Sequence, residues 1–358
     1  MRRTCPRATF LTAAVLVLAA TPLAAQDVQY KTVSKMDLGG VINALARLGG
    51  GLEVEETTYI KGSKMRTDVD KSSTIMDFAT GSYIWIDHEA KTYSTMTLAQ
   101  MLEQAEQALA QAKASQANAG APQVTSSGDN ATTIHTDSGD VHLEFDLDVD
   151  RTNETERVNG WNARRSIITM TTDATVETET EGEQEAGSLI VVVDLWSSTD
   201  VPVHDATRRL YESAAGQQYM QEAGNAAQSI GAAFAGDPSM SAALQKAGEE
   251  MQKIEGHAVK TTTYLVALAP GKEFDRSLVL EPQQKESAAR RIGGGMLRGA
   301  LGRAGGRQQQ EQQEEEAPSQ KTVMTFISET RDAKAGNLAD SLFEPPAGYR
   351  QVEHGTGN

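Results

Sequence analysis

One segment of ten residues, 141–150, limits the fold of this chain more than any other feature of its sequence. Apolar and polar side chains alternate along it without interruption, and the apolar ones are Val141, Leu143, Phe145, Leu147 and Val149. Successive side chains of a β-strand point to opposite faces of a sheet, whereas a helix repeats every 3.6 residues. The segment is therefore predicted to be a strand that buries its apolar face and leaves its aspartates in water.

Further strands are expected on both sides of this segment. Short runs of β-branched and aromatic residues are separated by turn residues such as Gly62, Gly81 and the Asn159-Gly160 pair, which is typical of antiparallel hairpins. The predicted strands cover residues 54–60, 65–69, 73–78, 83–86, 91–93, 161–172, 189–196, 261–268 and 321–329. Residues 41–48 fit either a short helix or a bent strand.

Helices and insertions interrupt these strands. Thr97 followed by Gln100 forms a capping box, which predicts the start of a helix. Residues 204–256 are interpreted as a helical insertion, whose first helix runs from Asp205 towards Phe234. Three further segments are predicted to be flexible insertions: 113–140, 177–187 and 282–320. Because strands lie on both sides of every insertion, we expect one α+β domain over residues 26–358 rather than two domains.

The first 25 residues have the order of a secretory signal peptide. Three arginines precede an apolar run over residues 8–20, and small residues follow up to Ala25. The run is shorter than the ~20 residues that span a bilayer, so an uncleaved anchor is the less favoured alternative. We expect cleavage after Ala25 and a periplasmic or secreted product. Cleavage would remove the single cysteine, Cys5, and lower the formal net charge from −16 to −19.

The excess of acidic residues bears on partners and cofactors. With 49 Asp and Glu against 33 Lys and Arg, the chain lacks the basic surface that a phosphate backbone requires, so no nucleic-acid partner is expected. Residues 146–150 do not fit a calcium loop, whose sixth and twelfth positions are here Arg151 and Arg157. The sequence contains no phosphate loop, GxSxG elbow or HExxH pair, and its histidines stand singly. We therefore expect no metal, no cofactor and no enzymatic activity.

Six apolar residues are candidates for a ligand-binding groove. They are Trp85, Trp161, Trp196, Met240, Leu244 and Met251. The tryptophans lie on predicted strands, where they either belong to the core or line a groove in an open barrel. The other three lie on the apolar stripe of the second inserted helix, where they either fill the core or form an adaptable lid.

A basic segment lies within the third insertion. Five arginines occur between residues 290 and 307 with no acidic residue among them, and Met296, Leu297 and Leu301 add apolar side chains. This composition would suit a weak contact with anionic lipid. Because a glycine-rich sequence disfavours a stable helix, a disordered insertion is the favoured interpretation.

The order and spacing of several motifs in the β-segments carry a family resemblance. The motifs are YIKGSKMRTD at 59–68, STIMD at 73–77, ID at 86–87, KTY at 91–93, NGW at 159–161, VDLW at 193–196 with Asp200, and FEPPAGY at 343–349. They resemble an exported bacterial family of unknown function that is related to the lipoprotein carriers LolA and LolB. The resemblance implies a curved, incomplete antiparallel β-barrel, with inserted helices on its open face. It also implies an apolar cavity for an acyl chain or a lipoprotein.

The leading hypothesis from the sequence is a periplasmic, non-enzymatic protein that binds an apolar ligand such as lipid or lipoprotein acyl chains. Two alternatives stay open. One is an envelope interaction or sensor module, in which the acidic face and the helical insertion contact a partner protein. The other is a secreted hydrolase whose site is assembled from residues far apart in the chain. The sequence gives no indication of the oligomeric state.

Overall fold

The computed structural model describes residues 27–38, 53–119, 123–126, 131–136, 139–178, 182–222, 224, 246, 248–280 and 319–353. The predicted signal peptide, residues 41–48 and the basic segment lie outside these residues, as do Met240 and Leu244. None of the helices in the described residues is both long and apolar enough to cross a membrane.

Most of the described chain belongs to one sheet, and few helices accompany it, so the fold class is α+β. The strands are β1 Asp27–Leu38, β2 Glu53–Lys61, β3 Lys64–Val69, β4 Ser72–Asp77, β5 Ser82–Asp87, β6 Thr92–Thr97, β7 Gln123–Ser126, β8 Ala131–Thr136, β9 Gly139–Val158, β10 Trp161–Thr178, β11 Gly182–Ser198, β12 His257–Leu268, β13 Gln320–Gly336 and β14 Arg350–Gln351. The helices are α1 Leu98–Ala119 and α2 Pro202–Glu212.

The order of the strands joins the two halves of the chain. The sheet runs β14-β6-β5-β4-β3-β2-β1-β13-β12-β11-β10-β9-β8-β7, so that the first and the penultimate strands of the sequence are neighbours. The pair β14–β6 is parallel, and the pairs from β6 through β1 and β13 to β7 are antiparallel. Because β14 and β7 occupy its two ends, the sheet does not close within the described residues.

Several local predictions are confirmed. Along β9 the apolar residues from Val141 to Val149 are half-buried, whereas Glu144, Asp146 and Asp148 are exposed. Asn159 and Gly160 form the β9–β10 turn with φ angles of 49° and 99°, as a two-residue hairpin turn of this type requires. The capping box is also present, since the backbone N–H of Gln100 donates to Thr97 Oγ1 at 3.2 Å and that of Thr97 donates to Gln100 Oε1 at 2.9 Å.

Two segments predicted to be flexible insertions are largely regular structure. Residues 113–140 contain the end of α1 and the strands β7 and β8, and residues 177–187 contain the end of β10 and the start of β11. The prediction of a loop is therefore wrong for these strands. Small, polar residues suggest a loop when only local sequence is considered. Pairing with a neighbouring strand supplies the backbone hydrogen bonds that local propensity does not reveal, as in the pair of Val176 with Gln184.

The first helix of the insertion begins three residues before Asp205 and breaks earlier than expected. Helix α2 starts at Pro202, a favoured first residue, and ends at Glu212 rather than near Phe234. Ser213 has extended backbone angles, and its Oγ accepts a hydrogen bond from the N–H of Gly216 at 3.0 Å. It therefore caps a second helical stretch over residues 214–222.

Three buried clusters attach covering segments to the sheet. The α2 cluster comprises Val28, Ile60, Phe78, Ala163, Val201, Val203, Ala206, Leu210 and Val259. The cover segment, residues 274–280, packs on the strands β10–β12 through Ile167, Ile190, Val192, Tyr264, Val266, Val279 and Leu280. The C-terminal cluster sets Phe343 against Ile75 and Ile86.

Candidate functional site

Two rows of side chains cross six neighbouring strands on one face of the sheet. Row A consists of residues that stand opposite one another on β9, β10, β11, β12, β13 and β1: Leu147, Met170, Val191, Leu265, Met324 and Leu38. Row B lies two residues further along each strand: Val149, Ile168, Val193, Thr263, Phe326 and Met36. Because side chains alternate between faces, both rows lie on the same face, which we call the apolar face. Five strand spacings make it about 24 Å wide.

The apolar face remains partly in contact with solvent. All six residues of row A are half-buried. In row B, Ile168 is buried, whereas Met36 is 38% exposed. Leu189, which stands opposite Thr172 in the next row along, is 47% exposed. None of the residues of row A or row B belongs to the three buried clusters. A continuous apolar surface that keeps contact with solvent is typical of a site for an apolar ligand or partner.

The opposite face is covered over three of these strands, β10–β12. Arg276 of the cover segment donates from Nη2 to Asp150 at 2.9 Å, and its Nη1 lies 3.8 Å from Asp148. The same segment places Val279 and Leu280 on the apolar residues of β10–β12. On this face β10–β12 are thus buried by their own chain, whereas Asp146 and Asp148 of β9 stay exposed.

A polar cleft of about 560 Å³ begins where row B ends. Arg151 of β9 stands opposite Ser166 of β10, and both line the cleft one row beyond Val149 and Ile168. Between Ser166 and Arg164 the register shifts, because Ser166 pairs with Arg151 whereas Arg164 pairs with Thr155. This irregularity gives β9 two more residues than β10 over the same stretch, so the ladder of backbone hydrogen bonds is interrupted at the cleft.

Three cationic side chains line the cleft: Arg151, Arg164 and Lys253. Glu250 lies 2.6 Å from Lys253 and 2.5 Å from Arg151. Their hydrogen bonds, that of Lys253 first and that of Arg151 second, lower the pKa of the Glu250 carboxyl group. Arg164 is exposed and has no ion-pair partner in the part of the chain that the structure describes. Its guanidinium therefore has donors available to an anion.

A second arginine, Arg165, is buried on the opposite face. Its Nε and Nη2 donate to Asp194 at 2.8 and 3.1 Å, and its Nη1 donates to Glu154 at 2.8 Å. The guanidinium also lies 5.6 Å from the centre of the Trp196 ring. Arg165 is 4% exposed and each of its three side-chain nitrogens donates a hydrogen bond, so this group stabilises the sheet rather than recruiting a ligand. Sequence reasoning missed it, because the partners of Arg165 come from two other parts of the chain.

A contact between a serine and a histidine bears on the hydrolase hypothesis. Ser73 Oγ lies 2.6 Å from His88 Nε2, and His88 Nδ1 lies 3.0 Å from the hydroxyl of Tyr349. The third member is thus a phenol rather than a carboxylate. Ser73 is 2% exposed and accepts a hydrogen bond from Arg66 at 3.0 Å. These contacts therefore favour a role in fastening the C-terminal segment to β4.

Similar contacts recur between neighbouring strands at the other end of the sheet. His135 lies 2.9 Å from Thr125 through Nε2 and 2.9 Å from Asp140 through Nδ1. His142 lies 2.8 Å from Thr133. Such repetition in a sheet rich in threonine is typical of cross-strand pairing, and it gives none of these histidines a distinctive catalytic geometry.

The tryptophans predicted to line a ligand site are distributed over two places. Trp161 and Trp196 are half-buried and pack against the α2 cluster. Trp85 is half-buried on β5, where it stacks on Tyr83 with ring centroids 5.6 Å apart. None of the three belongs to row A or row B, so their assignment to ligand binding stays a prediction.

The predicted residues of the second inserted helix give less information. Met251 is 45% exposed. Met240 and Leu244 lie outside the described residues. The apolar face was partly visible in the sequence, since the alternation of residues 141–150 identifies the β9 members of both rows. The cleft was not, because Arg164 and Ser166 carry no local signal.

Among the described residues, no group of three or more His, Cys, Asp or Glu side chains is placed to hold a metal ion. No family model matches the chain, and no curated protein matches it either. The fold and the site together define an α+β protein with an open sheet, one apolar face and a polar cleft at the end of that face.

Proposed function

We propose that the protein is a non-enzymatic binding protein for an apolar ligand, such as lipid or the acyl chains of a lipoprotein. The observation that carries this proposal is the apolar face, in which two successive rows extend over six strands without a charged residue. With the predicted loss of the first 25 residues, the protein would act in the periplasm or as a secreted protein.

The architecture proposed here is the half-open barrel of the LolA-like carriers. Asn159, in the β9–β10 turn, donates a hydrogen bond to the carbonyl oxygen of Thr330 on β13 at 3.0 Å. The strands β10 and β13 are three positions apart in the sheet, about 14 Å if the sheet were flat. This end of the sheet must therefore bend over itself, which supports a concave rather than a flat arrangement.

The size of the apolar face suits an acyl chain. Each leaflet of a bilayer has a hydrocarbon depth of about 15 Å, which an acyl chain spans, and the face is about 24 Å wide. Each methylene group removed from water contributes about 0.8 kcal/mol. Ten of them would contribute about 8 kcal/mol, against which the cost of immobilising the ligand must be set.

Uptake of a fluorescent fatty acid tests this function, together with native mass spectrometry of protein purified from an envelope fraction. Val191→Thr in row A keeps the shape of the side chain but places a hydroxyl against the ligand. That should weaken binding by about tenfold, because burying an unpartnered hydroxyl costs about 1–3 kcal/mol. Val323→Thr is the matched control, since Val323 also lies on a strand and is 43% exposed.

The outcomes separate the rival occupants of the apolar face. A protein that carries no lipid and takes up no fatty acid would refute the proposal. The helical insertion, residues 204–256, would then be the candidate that fills the face permanently. Recovery of a crosslinked partner protein without lipid would favour the interaction module instead.

A further inference from the structure

The polar cleft and the apolar face form one continuous surface. Residues two positions apart on a strand are about 7 Å apart, so the row of Arg151 and Ser166 follows row B by that distance. A ligand that lies across the strands over rows A and B therefore reaches the cleft with the end that rests on β9 and β10. An apolar floor that leads into a polar pocket is the layout that an amphiphile requires.

One cation in the cleft, Arg164, is unpaired within the described part of the chain and favours an anionic end group. Three cationic side chains line the cleft together with the carboxylates of Asp200 and Glu255. The preference for an anion therefore depends on which of these cations has no partner. Glu250 engages two of them, Arg151 and Lys253, which leaves the exposed guanidinium of Arg164 without a carboxylate partner among the described residues. A planar guanidinium can donate two parallel hydrogen bonds to a carboxylate or a phosphate.

Polar groups around Arg164 complete the pocket. Asp200, one of the two carboxylates that line it, accepts a hydrogen bond from Asn162 Nδ2 at 3.0 Å. Ser198 Oγ accepts a hydrogen bond from the backbone N–H of Asp200 at 3.2 Å. The hydroxyl proton of Ser198 can therefore still be donated. An anion beside Arg164 would thus find a hydroxyl donor as well as a cation.

We propose that the ligand is an anionic amphiphile, whose carboxylate or phosphate group is held by Arg164 in the polar cleft while its chain lies on rows A and B. This assignment of the ligand class rests on the proposed function, because it concerns the two ends of one ligand.

The test uses the protein expressed from its full-length sequence. It compares ligands that share one alkyl chain and differ in their end groups. Fluorescence displacement would be measured with a fatty acid, the corresponding monoalkyl phosphate, the corresponding fatty alcohol and inorganic phosphate. The fatty acid or the alkyl phosphate should bind about tenfold more tightly than the alcohol. Arg164→Ala should remove most of this preference, by weakening the acid and the phosphate much more than the alcohol.

Two further variants make the result specific. Arg350→Ala is the matched control, because Arg350 is an exposed arginine on β14, at the far end of the sheet from the cleft. It should keep the preference for the anion. Glu250→Gln should strengthen binding of the anionic ligands by several fold, because it releases Arg151 and Lys253 from their shared carboxylate.

The failure of this inference differs from the failure of the proposed function. If acid, phosphate and alcohol bind equally well and Arg164→Ala behaves like Arg350→Ala, the anionic end group is wrong but the apolar ligand stands. If inorganic phosphate displaces the probe as well as the alkyl phosphate does, the cleft binds free anions and the amphiphile is wrong. If none of the chain-bearing ligands binds, the proposed function itself fails.

Discussion

Replacing Arg165 with methionine should destabilise the fold strongly, and the structure allows the size of the loss to be worked out. The side chain of Asp194 is 13% exposed, whereas that of Glu154 is 56% exposed. Without the guanidinium, Asp194 keeps a charge in a largely buried place, which costs about 3 kcal/mol. Glu154 can return to water, so its lost ion pair adds only about 0.5 kcal/mol. We expect a total of about 3–4 kcal/mol.

Urea unfolding followed by tryptophan fluorescence would measure this loss. With a denaturant dependence of about 3 kcal/mol per molar urea, the midpoint of Arg165→Met should fall by about 1 M. Glu154→Gln should lower it by far less, because that carboxylate is mostly solvated. These two variants already distinguish a buried pair from a surface pair.

The double variant Arg165→Met with Asp194→Leu provides the decisive comparison. It removes both buried charges and leaves an apolar pair, so its stability should return to within about 1 kcal/mol of the unmodified protein. The reasoning is refuted if the double variant loses as much stability as the sum of the two single variants. It is also refuted if Arg165→Met is no worse than Glu154→Gln.

Two further changes test buried polar groups elsewhere. Burial, and next the charge of His204, lower the pKa of His257 to about 4. The contribution of His257 to the free energy of unfolding should therefore be fully present above about pH 6.5. Up to about 3 kcal/mol of it should be lost as the pH falls from about 6.5 to 4. Urea midpoints measured across this pH range should show the loss, and His257→Gln should abolish this pH dependence. A variant that keeps the same pH dependence would contradict the assignment to His257. The hydroxyl of Tyr264 is buried with no hydrogen-bond partner in the described residues, so Tyr264→Phe should leave stability unchanged or raise it by about 1 kcal/mol. A clear loss in thermal unfolding would reveal a partner for that hydroxyl.

The fold was predictable where the signal is local. The alternation over residues 141–150 identified β9, and Asn159-Gly160 identified the turn that follows it. Strands β7 and β8 were missed, because their small polar residues have the composition of a loop and only pairing with β9 shows them to be strands. The break at Ser213 was missed as well, since a serine inside an amphipathic pattern either continues a helix or caps the next one.

The candidate site was predictable only in part, for the same reason. The sequence shows that Leu147 and Val149 share a face, but it does not show which residues stand opposite them. It also suggested tryptophans as ligand contacts, because they lie on predicted strands that either form the core or line a groove in an open barrel. The structure places Trp161 and Trp196 against the α2 cluster, and the apolar face is made of aliphatic residues, methionines, one phenylalanine and one threonine.

The sequence by itself determined the strands whose signal is local, and along β9 also the side that is apolar, because side-chain direction repeats every two residues and needs no partner. Only the tertiary structure decided that the apolar sides of six strands meet as one face. Leu38 and Met324 are nearly 300 residues apart and yet directly opposite each other. That register depends on hydrogen bonds between distant strands, and a shift of one residue would turn a strand's apolar side to the opposite face. The same register brings Arg164 to the end of that face. Its neighbours in the sequence do not indicate this position.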